Sequence, residues 1–71
     1  MLIRKMKIGK DTWKLQSKRG SFVIHKNRKY IISVSKNKVS ALGRMGFRAL
    51  LYKTGIIPLL FIDDILTFLG L

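Results

Sequence analysis

The apolar residues of this chain change their spacing once, near Ser35, and that change limits the fold to strands first and helices after. Trp13-Lys14-Leu15-Gln16 alternates apolar with polar, Phe22-Val23-Ile24-His25 is short and β-branched, and Tyr30-Ile31-Ile32-Ser33-Val34-Ser35 alternates again towards its end. A period of two marks a strand with one face buried. Ser17-Lys18-Arg19-Gly20 and Lys26-Asn27-Arg28-Lys29 supply the turns between these runs. Residues 12 to 35 are therefore expected to form a three-stranded antiparallel meander. Residues 1 to 10 read either as a basic arm or as a fourth, edge strand, because Met6 and Ile8 stand among lysines.

Loop length decides which side chains of a hairpin share a face. A three-residue loop in the second hairpin would put Phe22 and Ile24 on one face with Tyr30, Ile32 and Val34, and Val23, His25, Ile31 and Ser33 on the other. An even loop would scatter large apolar groups over both faces, so the odd loop is the expected one. The meander then has an inner face for a helix to cover and an outer face carrying Lys14, Gln16, His25 and Ser33.

From residue 36 to 54 the spacing is helical. On a wheel, Val39, Leu42, Met45, Ala49 and Leu50 fall on one side, with Phe47 at its border and Arg44 and Arg48 opposite. Gly55 is a natural stop. Pro58 suits the first turn of a second, apolar amphipathic helix over residues 57 to 71. There Phe61, Ile62, Ile65, Leu66, Phe68 and Leu69 form a wide apolar arc, while Asp63, Asp64 and Thr67 face away. The fold class is thus α+β, a small antiparallel sheet of three or four strands followed by two C-terminal helices, in one domain over residues 1 to 71. No repeat, low-complexity tract or linker divides it.

A domain of 71 residues buries a thin core. Small domains usually compensate with disulfides, a metal or a partner. This chain has no cysteine and one histidine, so neither a disulfide nor a metal is expected, and a partner is. The lack of cysteine fits a reducing, cytoplasmic compartment. The N-terminal MLIRKMKIGK lacks the apolar run of a signal peptide. At the other end GIIPLLFIDDILTFLGL is 17 residues long, with two carboxylates at its centre. A span needs about 20 apolar residues, and each Asp at mid-bilayer costs roughly 3 kcal/mol. A simple transmembrane helix is rejected.

Charge is as uneven as hydropathy. The chain carries 15 Lys and Arg against three Asp, a formal net charge of +12, together with 48% hydrophobic residues. Residues 1 to 53 hold all the basic residues and only Asp11, and residues 54 to 71 hold only Asp63 and Asp64. So many aliphatic residues exclude a disordered basic tail. Ordinary surfaces mix both signs, and so few acids over 53 positions exceed what solubility requires. The footprint points to nucleic acid, DNA or RNA, ahead of an anionic membrane or an acidic protein surface.

The basic residues are grouped. Arg4, Lys5, Lys7 and Lys10 lie in the arm, Lys18 and Arg19 at one turn, Lys26, Arg28 and Lys29 at the next, and Lys36, Lys38, Arg44 and Arg48 along the first helix. Two turns loaded with Lys and Arg could straddle a groove and neutralise phosphates on both sides while the outer face of the sheet approaches the bases, as two-stranded ribbons do. The candidate nucleic-acid contacts are Lys14, Lys18, Arg19, Lys26, Arg28, Lys29, Arg44 and Arg48. Trp13, Tyr30 and Phe47 could stack on unpaired bases, against the commoner role of core packing.

Gly43-Arg44-Met45-Gly46 has the GXXG form of the loop that clamps nucleic-acid backbone in KH domains, and VSALGRMGFRALLYKTG looks a little like that pattern. Only seven residues separate Gly46 from Thr54, too little chain remains for that family's later elements, and the match spans under a quarter of the chain. Both glycines fall on the apolar side of the wheel, where close helix packing accounts for them. One His and three Asp assemble no Ser-His-Asp, Cys-His or paired-carboxylate arrangement, so no enzyme, cofactor or metal site is expected.

The expectation is a small non-enzymatic nucleic-acid-binding protein, of a style that suits a phage or mobile-element accessory factor or a ribosome-associated protein. The apolar last helix adds an expected homo-oligomer or partner contact centred on Phe61, Ile65 and Phe68. Two alternatives come from other classes. One is a membrane-peripheral or membrane-active protein whose last helix lies in the interface. The other is a protein inhibitor or assembly subunit docking through that helix.

Overall fold

The computed structural model describes residues 2–71, so position 1 of the expected arm lies outside the described residues. Four strands, β1 (Ile3–Ile8), β2 (Asp11–Lys18), β3 (Ser21–Lys26) and β4 (Lys29–Ser35), precede two helices, α1 (Lys36–Tyr52) and α2 (Leu59–Phe68). The strands pair in chain order as one antiparallel sheet. The N-terminal lysines thus belong to an edge strand, which pairs Ile3 with Gln16 and Ile8 with Asp11.

Strand alternation sorts the side chains as the spacing requires. Trp13 and Leu15 of β2, Phe22 and Ile24 of β3, and Ile32 and Val34 of β4 point to one side, where α1 and α2 cover them. The core is completed by Val39, Phe47 and Leu51 of α1, Ile57, and Phe61, Ile62, Ile65 and Leu66 of α2. Trp13 meets Phe61 at a ring-centroid distance of 5.8 Å, so the centre of the sheet is locked to α2 by its two largest side chains.

The second hairpin differs from expectation in its loop. Lys26 pairs with Lys29, leaving Asn27-Arg28 as a two-residue turn with φ of 51° and 69° at its centre. Positive φ at both central positions is the geometry that matches strand twist in a tight hairpin. Register is then corrected downstream. His25 pairs with Tyr30 but Ile24 pairs with Ile32, so Ile31 is an extra residue, a β-bulge. The bulge restores Phe22, Ile24, Ile32 and Val34 to a shared face. It also exchanges two side chains relative to the expected register: Ile31 packs on the core and Tyr30 turns to the outer face.

Helix α1 starts where Ser35 accepts a hydrogen bond from the Lys38 N–H at 3.1 Å. It is interrupted at Gly43, whose φ of 69° and ψ of −173° are not helical. The interruption resets the helical phase. Val39 before it and Phe47 and Leu51 after it are buried, whereas Leu42, Met45 and Ala49, expected on the core side of a continuous helix, are exposed. Gly46 sits where its missing side chain matters, because a Cβ there would lie 2.8 Å from the Leu42 Cβ. Pro58 caps the start of α2, its carbonyl accepting from the N–H groups of Phe61 and Ile62 at 3.0 Å.

The expected association centre is corrected by this packing. Phe61 and Ile65 are fully enclosed within the single chain, since α2 packs against both the sheet and α1 and spends its apolar arc on them. Of the three residues only Phe68 reaches the surface, at 36% exposure, with the Arg4 guanidinium 5.4 Å from its ring centroid. The aspartates beside this arc are not simply solvated. Asp64 accepts two hydrogen bonds from Arg4 at 2.8 Å, and Asp63 accepts one from Arg48 at 3.1 Å. Each ties α2 to a different neighbour, β1 and α1. Among the described residues no helix is long and apolar enough to cross a membrane.

Candidate nucleic-acid interface

Since both helices cover one side of the sheet, the other side is uncovered. Register assigns its side chains: Ile3, Lys5 and Lys7 of β1, Thr12, Lys14, Gln16 and Lys18 of β2, Ser21, Val23 and His25 of β3, and Tyr30, Ser33 and Ser35 of β4. Four of these form a row across the sheet, one from each strand, in which Lys5 faces Lys14, Lys14 faces His25, and His25 faces Tyr30. Like charges directly opposite one another destabilise a strand pair by a few tenths of a kcal/mol up to about 1 kcal/mol. No carboxylate stands on this face to offset them.

All three carboxylates are engaged elsewhere. Asp63 and Asp64 hold Arg48 and Arg4 on the helical side, and Asp11 approaches Lys26 Nζ at 3.8 Å from the sheet's inner edge. Arg4 holds the Asp64 carboxyl below its ordinary range, mainly through the side-chain hydrogen bond. The positive excess is therefore concentrated on the open face and at its ends.

Beside the row of four lies a shallow cavity of about 390 Å³ lined by Lys5, Thr12, Lys14, Asn27 and Arg28. Its rim is built from the turn. The Asn27 side chain accepts from the Thr12 N–H at 2.9 Å and donates to an Asp11 carboxylate oxygen at 2.8 Å, while the Asn27 N–H donates to the Thr12 carbonyl at 2.8 Å. These three bonds stitch the hairpin tip to the start of β2 and leave Arg28 projecting from a fixed backbone. At the other end of the sheet Gln16, Ser17, Lys18, Arg19 and Lys36 border a second, more open depression.

His25 stands between the lysines and Tyr30. Its ring meets Tyr30 edge to face, with centroids 6.4 Å apart, and its Nδ1 is enclosed without a hydrogen-bond partner. Partial burial, then the neighbouring charges of Lys14 and Lys18, push its pKa below the ordinary 6.5.

The eight basic residues expected to touch nucleic acid are divided by the fold. Lys14 and Lys18 lie on the open face, Arg19 and Arg28 lie at its two ends, and Lys29, opposite Lys26, falls by register on the inner side. Lys26 projects to the inner side, paired with Asp11 and 5.6 Å from the Trp13 ring centroid. Arg44 and Arg48 belong to the helical layer, where Arg44 donates to the Leu71 carbonyl at 2.6 Å and Arg48 pairs with Asp63. Lys5, Lys7 and Tyr30 join the open face without having been expected there. The signal for the lysines was present in Ile3-Arg4-Lys5-Met6-Lys7-Ile8, where Met6 and Ile8 alternate with Lys5 and Lys7 as in a strand. Tyr30 had none, because a bulge sets its side.

Compared with family models, curated proteins and solved structures, the chain matches none of them.

Proposed function

We propose that the chain is a non-enzymatic nucleic-acid-binding protein whose open sheet face and hairpin ends contact phosphates. One observation carries this reading: the uncovered face gathers Lys5, Lys7, Lys14 and Lys18 with Arg28 at its rim, and every carboxylate of the chain is committed to an ion pair elsewhere. A surface of one sign attracts a polyanion over a distance of about 10 Å at moderate salt, and ordered donors then fix its backbone. A cytoplasmic setting, where nucleic acid is accessible, goes with this function.

The test is a side-by-side measurement of binding to labelled oligonucleotides and to vesicles containing anionic lipid. Salt-sensitive binding to the oligonucleotides, exceeding that to vesicles, supports the proposal. Preferential partitioning onto vesicles would replace it with the membrane-peripheral reading.

A second surface serves protein association. Met45, Tyr52 and Leu59 are exposed and line a depression with Arg48 and Ala49, Met45 at 76% exposure. This patch lies on the helical layer, so a second copy or another protein can dock there while the sheet face holds nucleic acid.

A further inference from the structure

Tyr30 is withheld from a core that has little apolar volume to spare. The bulge at Ile31 turns it onto the polar face, where 63% of its surface is exposed and the His25 ring supports one edge. Bulges re-aim side chains, and here the result is a large flat ring standing beside a row of cations. From Tyr30 the row runs through His25 to Lys14 and Lys5, so the first lysine is two strands away, about 10 Å at ordinary strand spacing. Arg28, two residues along the chain, lies on the rim of the same cavity as both lysines.

The width of the face does not suit insertion into the major groove of a duplex. Four strands place the outermost backbones about 14 Å apart before side chains are added, whereas the major groove of duplex DNA is about 12 Å wide and accepts a two-stranded ribbon. A sheet of this width, with an aromatic ring exposed on it, suits bases that are already unpaired, because stacking on an aromatic face needs the flat side of a base. Resting on the nucleic-acid reading above, we propose that the ligand is a single strand of DNA or RNA, with a base stacked on Tyr30 and the adjoining phosphates held by Lys5, Lys14 and Arg28.

The experiment measures the affinity of the whole chain, at one salt concentration, for four probes of equal length, roughly a dozen nucleotides. They are a DNA single strand, an RNA single strand, a DNA duplex and an abasic strand that keeps the phosphates and sugars but lacks bases. At least one single strand should bind roughly tenfold or more tightly than the abasic strand, and more tightly than the duplex. Tyr30→Leu should collapse the ratio between base-bearing and abasic strands towards one, Tyr30→Trp should keep it, and Lys14→Gln should weaken all four probes together. The DNA and RNA arms identify the source of the strand. A parent ratio near one, a ratio that survives Tyr30→Leu in the folded variant, or tighter binding to the duplex would each overturn the single-strand proposal while leaving nucleic-acid binding intact. Failure of all four probes to bind at low salt would overturn the underlying reading itself.

Discussion

Arg28 occupies a left-handed backbone conformation, φ 69°, that costs a residue bearing a side chain about 1–2 kcal/mol. The preceding turn meets the same demand with Gly20, φ 65°, so an unstrained solution is available to this chain and is not used at position 28. Retaining a guanidinium there is explained if the side chain is needed at the cavity rim. Arg28→Gly should therefore raise stability, by about 1 kcal/mol or less once the flexibility of glycine in the unfolded chain is counted, and should weaken oligonucleotide binding several-fold. Chemical denaturation and binding measured on the same preparation check both directions. A variant that is destabilised, or that binds as well as the parent, contradicts the assignment.

The same scale governs the pH response. His25 has its pKa lowered by burial and by Lys14 and Lys18, so the folded chain takes up its proton later than the unfolded chain, whose value is near 6.5. Below 6.5 the unfolded state binds more protons, and stability falls with pH until the folded value is passed. Above 6.5 the contribution is complete. The thermal midpoint should drop between neutral and mildly acid pH, and His25→Gln should flatten that part of the profile. A bound phosphate chain supplies the missing negative charge, so it should raise the His25 pKa in an NMR titration of the ring.

Among the elements, α1 shows where the sequence could be read and where it could not. The strand alternation in β2 and the helical spacing of α2 follow from local pattern and the structure keeps them, and α1 ends at Tyr52, two residues short of the end expected before Gly55. The wheel for α1 failed because it assumed one uninterrupted phase, whereas Gly43 rotates Phe47 and Leu51 into the core and leaves Met45 outside. Nothing local distinguishes a glycine tolerated within a helix from one that breaks it. Substitution does. In a continuous helix Gly43→Ala would stabilise by about 0.5–1 kcal/mol. Here it should destabilise by about 1–3 kcal/mol, since alanine must adopt φ 69° with ψ −173° or straighten the helix against its packing. The sign of the change in an unfolding titration decides between the two. The outer face was similarly half legible: Lys14, Gln16, His25 and Ser33 follow from alternation, but the exchange of Tyr30 and Ile31 depends on a bulge that no spacing announces. The partners of Asp63 and Asp64 lie 15 and 60 residues away in sequence, beyond any local signal.

For the molecule as a whole, a two-layer architecture sets an open, polar sheet face opposite a helical layer that carries exposed apolar side chains. The core takes Phe61 and Ile65, so the association proposed above falls to Met45, Tyr52 and Leu59. Two copies of a chain with charge +12 repel at low ionic strength, and added salt should favour their contact while it weakens contact with phosphates. Sedimentation at increasing salt should show self-association that Met45→Glu removes without loss of fold. A monomer at every salt concentration would contradict self-association through this patch.

The cationic side is tested most directly by the salt dependence of affinity for a single strand, in the parent and in the triple variant Lys5→Gln, Lys14→Gln, Arg28→Gln. If about six phosphates are neutralised, log K should fall against log salt with a slope near −4, and loss of three cations should bring the slope to about −2. Thermal stability should not fall, because the substitutions relieve like-charge opposition on exposed strands. Salt-independent affinity in the parent, or a triple variant with the parent's slope, would contradict an interface on the open face of the sheet.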